Sequence, residues 1–235
     1  MMMDEMLSVR YDLVRRNIAE ASGGRYPLPK IIAVTKTHPA EEIEPLAALG
    51  LTEIGENHAQ EIREKWPVLQ EKFHFHCIGR LQTNKVKYII DKVCLIQSVD
   101  RMHLAQEIDR QAQRIGRAMP ILVQVSPAGE EQKGGMPMDE VRPFLEEVRR
   151  MPGLQVQGLM AVMPNTPDRE WLSGLFAQMR QLFERLRDEA PQGVDMRELS
   201  MGMSGDYELA ARHGATMLRL GSALMGPRDY GAMNK

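Results

Sequence analysis

Cysteine is scarce. The 235 residues contain two, Cys77 and Cys94, which excludes a disulfide scaffold and a four-cysteine zinc site. No excess of positive charge is present either. Thirty Lys and Arg stand against 32 Asp and Glu, for a net charge of −2, so the chain lacks the basic surplus that attracts phosphate backbones, and nucleic acid is not an expected partner. There is no apolar run of about 18 residues, so no segment reads as membrane-spanning. The opening segment MMMDEMLSVRYDLVRR carries Asp4 and Glu5 and no continuous apolar stretch. It is therefore unlike a signal peptide, and the cytoplasm is the expected compartment. What is present is hydrophobic residue, at 43%, too much for a disordered acidic chain, in a length that can bury a substantial core. The 18 methionines read mostly as adaptable core filling.

Short apolar runs alternate with longer amphipathic ones. Candidate strands lie at 31–37, 53–57, 73–79, 94–100, 121–127, 156–163, 198–204 and 217–225. Most are too continuously apolar for a strand with one wet face, which points to parallel strands covered on both sides. Between them, Leu172, Leu175, Phe176, Met179, Leu182, Phe183 and Leu186 follow the three-and-four spacing of a helix face. Before the first strand, Leu7, Tyr11, Val14, Ile18 and Ala21 do the same and run into Gly23-Gly24, a helix end. Strand starts from 31 to 217 in seven steps average about 27 residues, the rhythm of a (β/α)8 barrel of about 250 residues. An open doubly wound sheet is the alternative. With no linker or composition shift, residues 1–235 read as one domain.

In a barrel of this kind the working residues sit at the C-terminal ends of strands. That rule selects Lys36, Asn57, Gly79, Ser204, Arg219 and Gly221. Lys36 ends an apolar strand, where a lowered pKa would make its amine nucleophilic toward an aldehyde, giving a Schiff base; the plainer reading is a strand-end lysine reaching solvent. Ser204 is a natural N-cap for a helix beginning near Asp206, and Gly221-Ser222 follow the last strand; together these turns suit a phosphate, although capping alone uses the same residues. Arg219 lies on one strand face with Met217 and Gly221. Its fixed charge needs acceptors: a buried carboxylate such as Glu56 or Glu198, or a ligand atom. His74 and His76 share a strand face, but no third ligand stands at a metal-like spacing, so no metal site is expected. Cys77 reads as core, His213 as a helix end, and Arg80, Lys85 and Lys87 as a solvated face.

The segments AVTKTH, IGENHAQE, FHFHCIGRLQTNK, IQSVD, GLMAVMP, LSMGMSGDYELAARHGAT and LRLGSALMG closely resemble, over nearly the whole length, the pyridoxal-phosphate homeostasis proteins, which are similar to the N-terminal barrel of alanine racemase (fold type III). The resemblance implies pyridoxal 5′-phosphate held as a Schiff base on Lys36. It implies a phosphate cup from Ser204, beside Met203, completed by Gly221 and Ser222. It places Arg219 at the pyridine nitrogen and Asn57 near the ring. Thr35-Lys36-Thr37-His38, Arg80 and the glycine-rich GEEQKGGMP depart from the usual pattern and bear on the rim of the site.

That likeness leaves two readings: a non-catalytic protein of intracellular PLP homeostasis, passing the cofactor to apo PLP-dependent enzymes, and an amino-acid racemase. Racemisation needs a base on each face of the α-carbon. Lys36 serves one; His38, expected on the same strand side, is the weak candidate for the other. Alanine racemase adds a C-terminal β-domain, and this sequence ends ten residues after Met225, so that domain is expected to be absent. The homeostasis reading is therefore preferred, with a monomer expected because the racemase dimer partly uses the missing domain.

Overall fold

Strands that are apolar on both faces can be satisfied only if each has a neighbour on either side and helices cover the outside. The computed structural model, which describes residues 2–189 and 193–226, meets that demand by closure. Strands β1 (Lys30–Val34), β2 (Glu53–Glu56), β3 (His74–Cys77), β4 (Val93–Val99), β5 (Met119–Val125), β6 (Leu154–Ala161), β7 (Glu198–Ser200) and β8 (Met217–Leu220) pair in sequence order. β8 returns parallel to β1, with Ile32 opposite Arg219. This closed (β/α)8 barrel excludes the open sheet.

Helix α1 (Met2–Ser22) precedes β1. The first crossover carries α2 (Ala40–Ile43) and α3 (Pro45–Ala48), and the second carries α4 (Ala59–Leu69). A 3-10 turn (Thr83–Tyr88) follows β3. The remaining crossovers carry α5 (Met102–Arg114), α6 (Val141–Val148), α7 (Arg169–Glu189) and α8 (Tyr207–Arg212), with α9 (Ser222–Met225) after β8. The apolar stripe read from the sequence is the buried face of α7. Leu7, Val14 and Ile18 of α1 are likewise buried, and that helix stops where Gly23 and Gly24 take positive φ. No helix among the described residues is long and apolar enough to cross a membrane.

Several strands are shorter than their apolar runs. β1 stops at Val34 because Thr37 adopts φ 70°, and β7 stops at Ser200 because Gly202 turns the chain at φ +96°. The expected strand 217–225 ends at Leu220: the N–H groups of Leu224 and Met225 return to Gly221 O at 2.9 and 2.8 Å, and the segment coils into α9. Hydrophobicity alone does not separate a buried strand from the helical turn after it.

Alternation splits each strand between two environments. Ile32, Leu95, Leu122, Met160 and Met217 fill the barrel interior, while Ala33, Ile54, Phe75, Ile96 and Leu218 join the layer under the helices. The seam near β7 and β8 is tied by Glu198, which accepts from Lys30 Nζ at 3.0 Å and from Thr216 Oγ1 at 2.6 Å. Close approach of β6 and β7 depends on Gly158: at φ +145°, a Cβ there would stand 1.8 Å from the Glu198 carbonyl oxygen. Gly158→Ala should therefore force the two strands apart. Overpacking costs about 1–3 kcal/mol, and at about 2–4 °C per kcal/mol for a chain of this size thermal melting should drop by about 2–12 °C.

Candidate functional site

At the C-terminal end of the strands lies a cavity of about 470 Å³, within the usual range of about 300–1,000 Å³ for small-molecule sites. Lys36, Asn57, Met203, Ser204, Arg219, Gly221 and Ser222 all line it, with Val34, Ile78 and Val162 as apolar wall. The fold thus brings all seven candidate residues, drawn from four strand ends, into one pocket.

Lys36 is carried by the turn after β1 rather than by the strand, and that turn is clamped from below. Thr35, fully buried, donates through Oγ1 to Glu56 Oε1 at 2.7 Å. Lys65 of α4 donates to the same carboxylate oxygen at 2.7 Å and to Thr35 O at 2.9 Å. The Thr37 N–H reaches Glu61 Oε1 at 2.6 Å. These bonds hold Thr37 in the left-handed region, which costs a β-branched residue free energy. Lys36 is therefore fixed between two anchored neighbours. Glu56 is wholly buried, and burial raises its carboxyl above the ordinary range despite the opposing charge of Lys65. His38 turns away: its Nδ1 meets Glu42 at 2.7 Å, and it is absent from the pocket lining.

Asn57 is held by a backbone contact that only glycine permits, since a Cβ on Gly79 would stand 2.3 Å from Asn57 O. On the opposite side, Asp206 accepts the Met203 N–H at 2.5 Å and shapes the turn; burial raises its carboxyl. Ser204 departs from expectation. It does not cap α8, whose N-cap is Asp206; instead its Oγ accepts the N–H groups of Gly221 and Ala223, both at 3.1 Å. The two glycine-serine turns are thereby stitched into one surface.

Arg219 pairs with neither Glu56 nor Glu198. Buried inside the barrel, it donates Nη2 to Ala161 O and Nη1 to Ser200 Oγ, both at 2.7 Å. Because a guanidinium only donates, the order beyond it is set. Ser200 donates to Gln97 Oε1 at 2.7 Å, Gln97 Nε2 donates to His76 Nδ1 at 3.0 Å, and His76 Nε2–H donates to Glu53 at 2.7 Å. Burial lowers Arg219 to about 10, with Asp206 opposing, so it remains a cation at neutral pH.

Arg80, and Lys133 of the GEEQKGGMP segment, line the pocket as the rim reading expected, whereas Gln124 was not foreseen there. Lys133 comes from the glycine-rich segment after β5, and its amine is held by Met163 O at 3.0 Å; no periodic signal marks it. Tyr88 was also missed: Arg63, Lys85 and Lys87 lie 4.8, 5.9 and 4.9 Å from its ring centroid, so the basic patch surrounds an aromatic. Cys77 is core, its thiol pushed up to about 12 by burial. His213 ends α8 and meets Ser173 Oγ at 2.8 Å.

The sequence pattern of the family described as alanine racemase, N-terminal domain, matches residues 9–229. A pyridoxal phosphate homeostasis protein of Aquifex aeolicus is 38% identical over 212 residues, covering 90% of this chain and 92% of that one. The structure of PipY from Synechococcus elongatus PCC7942 with PLP bound is similar at 33% identity and a TM-score of 0.79, over 90% of this chain and 99% of that one. An alanine racemase of Clostridium difficile shares the fold, with a TM-score of 0.74 at 16% identity, over 97% of this chain and 58% of its own.

Removing one partner of a buried ion pair leaves an uncompensated charge and costs about 3–5 kcal/mol. Lys65→Met should destabilise by that order, read as a lower melting temperature. Lys65→Met combined with Glu56→Leu should recover a substantial part of the loss.

Proposed function

Since the chain belongs to the alanine racemase N-terminal domain family, and within it to the pyridoxal phosphate homeostasis proteins, we propose that it binds pyridoxal 5′-phosphate in this pocket and serves intracellular PLP homeostasis without a reaction of its own. The observation that carries the reading is the convergence of one anchored lysine, one buried arginine and two linked glycine-serine turns on a single cavity.

The donor set fits that cofactor. Bound pyridoxal phosphate supplies an aldehyde that condenses with a primary amine, and Lys36 is the amine placed to meet it. With the Met203 and Gly221 N–H groups already bonded within the turns, the turns Met203–Ser204 and Gly221–Ser222 would hold the phosphate through the serine N–H groups and hydroxyls, where glycine lets a ligand come close. Arg219 would donate to the pyridine nitrogen. A cation that stays protonated at neutral pH gives that nitrogen a hydrogen bond but no proton, which weakens the ring as an electron sink. Asn57 would sit beside the ring, and Val34, Ile78 and Val162 supply apolar cover.

The pocket's other groups support binding over racemisation. Among the described residues its lining holds no histidine or tyrosine. The second lysine, Lys133, is tied to Met163 O and lies 2.8 Å from Glu130. A second base for the opposite face of an α-carbon is thus not supplied by His38. The reading extends to a single barrel domain over residues 1–235, acting as a cytoplasmic monomer that hands PLP to apo PLP-dependent enzymes.

Borohydride treatment of PLP-loaded protein, followed by peptide mass spectrometry, should place one phosphopyridoxyl group on Lys36. Lys36→Ala should lose both that group and the visible absorbance of the loaded protein; an adduct on another lysine in the wild type would overturn the assignment. Loaded protein incubated with L-alanine should yield no D-isomer by chiral chromatography, and sustained racemisation would favour the enzyme. Mixed with an apo PLP enzyme, it should restore activity faster than the free PLP it releases can explain.

A further inference from the structure

The opposite end of the barrel holds a second cluster that the cofactor reading does not use. Glu53 opens β2, His76 lies on β3 and Cys94 on β4, three adjacent strands entering from the N-terminal side. One carboxylate oxygen, one imidazole nitrogen and the Cys94 sulfur lie within 4.8 Å of one another. They face an open cavity of about 510 Å³, whose wall includes His74. We propose that this mouth is a divalent-metal site, with Glu53, His76 and Cys94 as ligands and zinc as the ion it suits.

The chemistry of the donors selects the ion. Carboxylate, imidazole and thiolate together form a zinc-type set, whereas magnesium and calcium favour all-oxygen shells. With carboxylate and thiolate each contributing one negative charge, a bound Zn²⁺ is neutralised. Of the cations lining the cavity, Lys30 is paired with Glu198 at 3.0 Å and Arg197 with Asp195 at 3.4 Å. His74 lines the same cavity, and the fourth position is left to water. An outer partner stands beside it, because Gln97 contacts the other ring nitrogen of His76 at 3.0 Å and, with its amide turned, offers the acceptor that a ligating histidine's second N–H needs.

Three metal–protein bonds form, and the thiol proton of Cys94 passes to solvent. The contact of Cys94 Sγ with Phe75 O at 3.3 Å and the His76–Glu53 hydrogen bond are given up. The ring proton of His76 moves from Nε2 to Nδ1, and Gln97 turns its amide to present oxygen. Ser200 Oγ then accepts from both Gln97 and Arg219 and gives up its own donation to Gln97 Oε1. Arg219 keeps its two interior bonds, so the site does not depend on what fills the cavity at the far end.

The test uses the full-length protein, stripped with a chelator and titrated with cobalt(II). One equivalent should produce the visible bands of tetrahedral cobalt with a sulfur charge-transfer band, and one equivalent of zinc should abolish both. Cys94→Ser should remove the sulfur band and weaken zinc at least about tenfold, the cost of losing even an outer-shell partner. Glu53→Gln should weaken zinc comparably while leaving the sulfur band of any residual complex. Zinc should also raise the melting temperature of the wild type and not of Cys94→Ser. An octahedral cobalt spectrum, or a sulfur band that persists in Cys94→Ser, would overturn the assignment.

Discussion

The buried pair of Lys65 with Glu56 is the constraint on which the candidate site rests. It lies outside the barrel wall, under α4, yet it sets the end of β1 through Thr35. Such a pair is expensive to bury and gains little net stability over an apolar substitute. What it supplies is position. Lys65 and Thr35 converge on one oxygen of Glu56, and Glu61 catches the next turn at Thr37. The chain is thereby stopped at Val34 and forced through a left-handed residue at Thr37. Lys36 stands between these two fixed points, so its backbone has little freedom to lose when the amine engages a ligand.

A second constraint runs through the barrel itself. Parallel closure leaves an interior that apolar side chains fill only in part. Ile32, Leu95, Leu122, Met160 and Met217 share it with Arg219, Ser200, Gln97 and His76. Each polar group is satisfied by the next in one direction, from a guanidinium that can only donate to a carboxylate that can only accept. In a low dielectric such a chain is strong when complete and costly when broken. It orients Arg219 toward the C-terminal pocket while its far end reaches the N-terminal mouth. The fold thus has two polar ends joined by one polarised line, and both ends take their side chains from several strands.

The homeostasis reading and the racemase alternative share the barrel, and they separate on what surrounds the lysine. A binding site needs an anchored amine, an anion cradle and a ring donor. A racemase needs, in addition, an acid-base group on the opposite face. The residues that could have served, His38 and Lys133, are held by Glu42 and by Met163 respectively.

By itself the sequence determined the alternation of strand and helix and the short list. Eight apolar runs, most of them double-faced, separated by amphipathic ones favour a closed parallel barrel over an open sheet, and the rule that strand C-termini carry function selected Lys36, Asn57, Gly79, Ser204, Arg219 and Gly221 from local pattern. Where strands stop was less legible, because apolar character continues across Gly221 into α9 while backbone dihedrals do not. Tertiary structure alone decided the partners. Arg219 looked in need of a carboxylate or a ligand atom, and closure set Ser200 and Ala161 beside it. Ser204 looked like a helix cap, but the neighbouring turn came near enough to take its hydroxyl. Glu53, His76 and Cys94 share no spacing in the chain, since they belong to three strands whose stagger is set by barrel closure. Contacts between residues far apart in sequence follow from that register, and register is a property of the whole sheet.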